Sequence, residues 1–125
     1  MNIEAFKELR DTIASAPAEH CDMWDWRCGS VCCIGGWTEN LLVARGVIQP
    51  RKCMMNVSGL EWTSLRDRAV NSFLGIIPAE HENLFFTFPD EVPSIGWQAW
   101  MLARLDKIIE TGDIEAWDRE SSVVN

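Results

Sequence analysis

The sequence predicts an all-α fold, a compact single domain of about five to six helices joined by long structured loops. Apolar residues recur at intervals of three and four along most of the chain, which is the spacing of one helix face. A glycine or a proline follows each of these stretches, as expected where helices end. The length of 125 residues is close to the commonest domain size, so residues 1–125 are expected to share one core.

An amphipathic first helix is predicted over residues 2–15, and Pro17 ends it. Residues 18–30 contain large side chains without a clear period, which indicates a structured loop. A second helix is predicted from Val31 onward, with Gly46 as its C-terminal cap. The apolar stripes of these helices are Ile3, Phe6, Leu9 and Ile13 in the first, and Ile34, Trp37, Leu41 and Ala44 in the second.

The second half of the chain predicts three more helices and a final turn. Residues 46–59 are rich in loop-forming residue types, so they are expected to be mostly loop, with a short extended piece as an alternative. The third helix ends at Gly75, a shorter one opens at Pro78, and the last long helix stops at Gly112, after which Asp113 caps a turn. The longer stripes are Trp62, Leu65, Ala69, Val70 and Phe73, then Trp97, Met101, Leu105, Ile108 and Ile109.

Charge and composition narrow the classes of partner. The chain has 19 acidic and 11 basic side chains and a formal net charge of -8, which opposes nonspecific binding to nucleic-acid backbones. Glu4, Glu8 and Asp11 interrupt the N-terminal apolar positions, so no stretch of signal-peptide or membrane-spanning length is expected there. The sequence therefore predicts a cytoplasmic protein with no direct nucleic-acid ligand and no membrane association.

The cysteines are expected to be reduced thiols. Their number, five, is odd, and most of them cluster instead of spreading along the chain as in a disulfide-stabilised domain. They are Cys21, Cys28, Cys32, Cys33 and Cys53.

The segment CGSVCCIGGW allows three interpretations. Free cysteine is among the most buried residue types, so packing in the core is the leading one. A helix N-terminus stabilises a thiolate, so Cys32 or Cys33 as a nucleophile, with His20 or His81 as its base, is the second. A structural zinc site is the third, but no C-x2-C pair occurs and a second ligand pair is poorly defined. No metal, no cofactor and no catalytic residue are predicted.

Two groups of residues are candidates for a binding surface. They are Trp24, Trp26 and Arg27 in the first long loop, and Glu80, Glu82, Asp90 and Glu91 around the shorter helix. Exposed aromatic side chains beside arginine are typical of interface hot spots. The acidic group is most simply a solvated face, and the alternative is a surface that mimics nucleic acid on another protein.

The thiol-rich segment resembles a group of small, uncharacterised phage and bacterial proteins with a CG(S/T)xxCIAGW-like motif. The matching residues are Cys28, Gly29, Ser30, Cys33, Ile34, Gly36 and Trp37. Cys32 and Gly35 depart from the usual small residues of the group. The segment AVNSFLGIIPAEHENLFF is similar to the group's pattern of a helix ending in LGL, a prolyl helix start and a closing LF. The resemblance implies a phage or prophage origin and brings no general activity. Its matched thiol pair, Cys28 and Cys33, favours a packing or redox role over a metal site built from all five cysteines.

These observations lead to one hypothesis and three alternatives. The hypothesis is a phage-type or prophage-type accessory protein that binds a host protein in the bacterial cytoplasm, for example as an inhibitor of an anti-phage defence component such as an anti-CRISPR. The first alternative is a small thiol-dependent enzyme or redox protein that uses Cys28 or Cys33. The others are a zinc-stabilised interaction domain and an acidic mimic of nucleic acid.

Overall fold

The computed structural model describes the backbone of residues 1–24, 27–28, 31–49 and 60–117, and this part of the chain is all-α. Its five α-helices are α1 Ile3–Ser15, α2 Ile34–Ala44, α3 Leu60–Leu74, α4 Pro78–Phe86 and α5 Trp97–Thr111. A turn of 3-10 helix, Ala18–His20, follows α1, and two short strands, β1 Arg27–Cys28 and β2 Val31–Cys32, precede α2. None of the described helices combines the length and apolarity needed to span a bilayer.

The second helix begins at Ile34, and the prediction that it starts at Val31 is wrong. Val31 and Cys32 instead form β2, which pairs antiparallel with β1. The backbone of Cys32 also forms an isolated parallel β-bridge with the backbone of Cys21. The backbone N–H of Asp22 donates to the carbonyl of Cys32 at 3.1 Å. The backbone groups of β2 therefore find partners in the preceding loop, and a helix starting at Val31 would forgo them.

The predicted end of the last long helix is confirmed. Gly112 has a φ of 69°, in the left-handed region, and its N–H donates to the carbonyl of Ile108 at 2.7 Å. The side chain of Asp113 accepts a hydrogen bond of 2.9 Å from the backbone N–H of Glu115, as predicted for the cap of a final turn. The predicted loop at 46–59 is described only as far as residue 49, so most of it lies outside the described residues.

Helix α1 packs most extensively against α5 and also contacts α2 and α3. The predicted stripes meet in this core, because Phe6, Leu9 and Ile13 of α1 are fully buried, as is Leu105 of α5. Gln98, in the first turn of α5, donates to the carbonyl of Ile13 at 2.9 Å and so ties the start of α5 to the end of α1. The core is therefore built around the packing of α1 against α5, in which the start of α5 lies at the end of α1.

A buried ion pair joins α2 to α3. Glu39 and Arg66 are 1% and 2% exposed, and Oε1 of Glu39 lies 3.8 Å from Nη1 of Arg66. Arg66 also donates from Nη2 to the carbonyl of Gln49, which follows α2. Loss of either partner would leave an uncompensated charge in the core, so removing one of the two is expected to destabilise the packing of α2 on α3.

Gly75 lets the N-terminal segment approach the turn between α3 and α4. The backbone N–H of Asn2 donates to the carbonyl of Leu74 at 2.8 Å, and its side chain donates to the carbonyl of Phe73 at 3.2 Å. Gly75 has a φ of 67°, and a Cβ built on it would lie 2.8 Å from the backbone nitrogen of Asn2. Only glycine therefore fits here without displacing backbone.

We expect Gly75→Ala to lower the free energy of unfolding by about 2 kcal/mol or more, because the alanine is strained at positive φ and also meets the Asn2 backbone. Gly112→Ala is the matched control, since its φ of 69° imposes the same strain while no described atom lies within 4 Å of the added Cβ. Urea denaturation of both variants measures the difference. Equal losses would show that the Asn2 contact contributes nothing.

Candidate functional site

Trp24 is the most exposed of the described tryptophans and lies on a cluster of buried rings. Its side chain is 52% exposed, whereas Trp97 and Trp100 are each 6% exposed. Trp24 packs edge to face on Trp97, with ring centroids 5.7 Å apart, and Trp97 contacts Trp100 and Phe88 in the same way at 5.7 and 6.2 Å. Asp22 accepts a 2.7 Å hydrogen bond from the Trp24 backbone N–H, which holds the turn that presents the ring.

The loop between α4 and α5, residues 87–96, supplies a second exposed apolar group. Val92 and Ile95 are 52% and 59% exposed, and Asp90 and Glu91 of the same loop are exposed as well. Phe88 near the start of the loop contacts Trp97, which directly follows the loop. Both ends of the loop therefore lie at the aromatic cluster that Trp24 packs on. We call the following residues the Trp24 surface: Asp22, Trp24, Phe88, Asp90, Glu91, Val92 and Ile95.

A fully buried arginine fixes the start of this loop. Nη1 of Arg104 donates to the carbonyls of Leu84 and Thr87 at 2.8 and 2.9 Å, and Nη2 donates to the carbonyl of Asn83 at 2.7 Å. The guanidinium also lies over the ring of Trp100, 5.4 Å from its centroid. Arg104 therefore caps the C-terminal end of α4 and connects it to the aromatic cluster.

We expect Arg104→Lys to lower the free energy of unfolding by about 2 to 4 kcal/mol, because an ammonium lacks the planar fork that reaches three carbonyls and leaves buried acceptors unsatisfied. Arg68→Lys on the exposed face of α3 is the control, with an expected change within about 0.5 kcal/mol. Thermal unfolding followed by circular dichroism measures both. Full stability of Arg104→Lys would contradict the assignment of Arg104 as the cap of α4.

The structure brings together only some of the residues that the sequence proposes for binding. Trp26 lies outside the described residues, and only the backbone of Arg27 is described, in β1. Glu80 caps α4, since its Oε1 accepts the Ile77 N–H at 3.0 Å, so its carboxylate is engaged within its own helix. Glu82 is exposed beside a cavity described below. Of the four acidic candidates, Asp90 and Glu91 belong to the Trp24 surface.

Sequence analysis does not single out Arg104, Val92 or Ile95. A signal for Arg104 was present, because it stands four residues after Trp100 and so shares the buried face of α5. Val92 and Ile95 lie in a loop without any period, and their exposure depends on how the chain turns around Pro93, whose carbonyl accepts the Gly96 N–H at 2.9 Å.

A second candidate is a small polar cavity of about 330 Å³ between α3 and α4. Its lining consists of Asp67, Arg68, Asn71, Pro78, His81 and Glu82. Nδ1 of His81 donates to Oδ1 of Asn71 at 2.6 Å, and Nε2 lies 3.6 Å from Oδ1 of Asp67. Burial lowers the pKa of His81 below its ordinary value, while Asp67 and then Glu82 act in the opposite direction. Nδ1 is therefore bonded to α3 and Nε2 faces the Asp67 carboxylate of the same helix, an arrangement that orients the ring within the helix packing.

The described thiols of the motif region are buried. Cys21, Cys32 and Cys33 are at most 5% exposed, and the Asn40 side chain donates to Sγ of Cys32 at 3.4 Å. Burial raises the pKa of Cys33 to about 12, although the backbone N–H groups at the start of α2 act in the opposite direction. Burial also raises the pKa of Cys21. At Cys33 desolvation therefore outweighs the helix N-terminus, and burial favours the neutral thiol at both Cys21 and Cys33.

The remaining motif residues divide between the core and the undescribed part of the chain. Gly36 is buried in the first turn of α2, and Trp37 is partly buried against the core. Gly29 and Cys53 lie outside the described residues, and only the backbone of Cys28 is described. Among the described side chains, no three His, Cys, Asp or Glu residues come close enough together to hold a metal ion. The zinc hypothesis stays a prediction, since two of its cysteines are not covered by that search.

We expect Cys21, Cys32 and Cys33 to react with an aromatic disulfide reagent far more slowly than free cysteine at pH 7. A pKa of about 12 instead of 9.0 lowers the thiolate fraction of Cys33 roughly a thousandfold, and burial also denies the reagent access. Peptide mapping by mass spectrometry assigns the reacted positions, and the same protein in denaturant provides the fully reactive control. Fast labelling of Cys33 in the folded protein would contradict this expectation and would favour the hypothesis of a thiol-dependent enzyme.

The described residues thus include an exposed aromatic and acidic surface and a small cavity whose histidine is hydrogen-bonded to Asn71. Comparison of the chain with protein-family models, with curated proteins and with solved structures finds no match to any of them. The choice between candidate functions therefore depends on the geometry of these two places.

Proposed function

We propose that this protein acts by binding another protein, as an accessory protein of phage or prophage type whose target is a host protein. Inhibition of an anti-phage defence component, as by an anti-CRISPR, is the specific form of this proposal. The observation that carries it is the half-exposed Trp24, whose ring packs edge to face on buried tryptophan rings. The phage origin follows from the motif resemblance alone.

An exposed tryptophan on a rigid base is well suited to anchor a partner. Tryptophan is enriched among the few interface residues that dominate binding energies, and its ring covers much area for little conformational entropy. Trp24 is held at its backbone by Asp22 and at its ring by Trp97, so little freedom remains to be lost on binding. Val92 and Ile95 add apolar area beside charged side chains, which is the composition of an interface core with a polar rim.

The thiol-dependent alternative receives less support from the same structure. Its described sulfurs are enclosed, and the imidazole of His81 is bonded to Asn71 and faces Asp67. The acidic mimic is also less well supported, because the Glu80 carboxylate is used to cap α4. A binding protein needs neither a reactive thiol nor a continuous acidic face, and it needs the kind of exposed aromatic group that Trp24 provides.

The proposal is tested by capture from a bacterial host lysate with the tagged wild-type protein and with Trp24→Ser. We expect the wild type to retain a discrete host protein and Trp24→Ser to lose most of it, because a central aromatic anchor contributes about 2 kcal/mol or more to binding. Quantitative mass spectrometry of the captured fractions measures the ratio. The urea unfolding transitions of the free proteins check that Trp24→Ser remains folded.

Val47→Ser is the matched control for loss of an exposed apolar side chain. Val47 is 57% exposed and follows α2, outside the Trp24 surface, so this variant should capture the partner as the wild type does. Equal loss with both variants would point to nonspecific apolar adhesion. Retention of the partner by Trp24→Ser, or turnover of a substrate with no captured partner, would refute the proposal.

A further inference from the structure

We propose that the Trp24 surface binds a basic segment of its partner, one that places lysine or arginine side chains beside apolar anchors. This inference rests on the proposed function and specifies the chemistry of the partner. It depends on three features of the surface: the sign of its charges, the exposure of its apolar side chains, and a buried donor beneath them.

The charged side chains of the Trp24 surface are all acidic. Residues 87–96 read TFPDEVPSIG, so Asp90 and Glu91 are its charges and the loop contains no lysine, arginine or histidine. Asp22 adds a third carboxylate two residues before Trp24. Arg104 is directed to the carbonyls of α4 and is fully enclosed, so it offers no exposed charge to balance them. The carboxylates of the Trp24 surface therefore attract cations and repel anions.

The exposed apolar side chains lie in the same ten-residue loop as two of these carboxylates. Val92 follows Glu91 directly, and Ile95 lies in the turn that leads into α5, so a partner that covers both also approaches Asp90 and Glu91. An acidic partner would have to bury like charges together, and a purely apolar one would strip water from the carboxylates without replacing its hydrogen bonds. A segment with both basic and apolar side chains satisfies both groups.

A buried donor lies beneath the exposed ring. The indole N–H of Trp97 is enclosed and has no hydrogen-bond partner among the described residues, in a side chain that is 6% exposed. An unsatisfied buried donor is costly, and native proteins seldom keep one. Because the Trp24 ring contacts the Trp97 ring, a partner segment that binds at Trp24 comes close to this side chain, and an extended peptide can supply a main-chain carbonyl to its N–H.

A second copy of this chain is a poorer occupant. Each copy carries a net charge of -8, and a symmetric contact through this surface would bring the carboxylates of both copies together. Nucleic acid is repelled for the same reason. The charge complementarity therefore favours a different protein with a basic surface.

The probe is a short synthetic peptide of lysine, leucine and serine, together with a matched peptide in which glutamate replaces lysine. We expect the lysine peptide to shift the indole N–H resonances of Trp24 and Trp97 in the full-length protein and the glutamate peptide to leave them unchanged. Binding should weaken as salt is added, because exposed charges are screened. Asp90→Asn combined with Glu91→Gln should weaken the lysine peptide roughly fivefold, since exposed charge pairs contribute modestly.

The control is Glu4→Gln combined with Glu110→Gln, which removes the same charge from exposed positions outside the Trp24 surface. Equal weakening by the two double variants would show attraction to net charge only and would overturn the inference. Equal binding of both peptides, no binding of either, or concentration-dependent self-association that buries Trp24 would also overturn it. If a host partner depends on Trp24 but ignores salt and the Asp90 and Glu91 changes, the proposed function stands and this inference fails.

Discussion

The guanidinium of Arg104 closes the C-terminal end of α4, and the loop that carries most of the Trp24 surface starts from that closed end. Three carbonyls accept hydrogen bonds along the edge of one planar cation, which also lies over the ring of Trp100. The last carbonyls of a helix need partners, and a charged donor is the strongest available inside a protein. One buried side chain of α5 thereby determines where α4 stops, where the loop begins and how the aromatic cluster is seated beneath Trp24.

Burial governs the chemistry of the thiol motif in the same way. Cys33 occupies the N-cap of α2, the position at which helix amides favour an anionic sulfur, yet its complete enclosure raises the pKa to about 12. A helix end contributes a fraction of what removal from water costs a charged group, so the outcome is a neutral, packed thiol. The short ladder of β1 and β2 covers this region and sets the start of α2. The motif is then best understood as the joint between the first loop and the second helix.

The sequence was sufficient to predict the helices, but not the polar contacts that join them to other elements. Apolar stripes such as Phe6, Leu9 and Ile13 specify which face of a helix is buried, and the glycine at 112 marks an end, because both effects are local. Strand β2 also forms a backbone β-bridge from Cys32 to Cys21 across the loop, and the apolar period of a single helix cannot predict such a pairing. The same holds for Arg104 and its α4 carbonyls, whose separation of some 20 residues along the chain is closed only by tertiary packing. The sequence indicates Trp24 as a candidate, whereas its contact with Trp97, 73 residues away along the chain, arises only from tertiary packing.

The stack of Trp24, Trp97 and Trp100 has a spectroscopic consequence. Neighbouring rings in it stand at interplanar angles of 74° and 90° with centroids 5.7 Å apart, close enough for their electronic transitions to mix. Mixed indole transitions add a signed band pair to far-ultraviolet ellipticity, where the helical backbone also absorbs. Helical content read from ellipticity alone is therefore biased for this chain, and the band pair itself reports whether the three rings keep their mutual orientation.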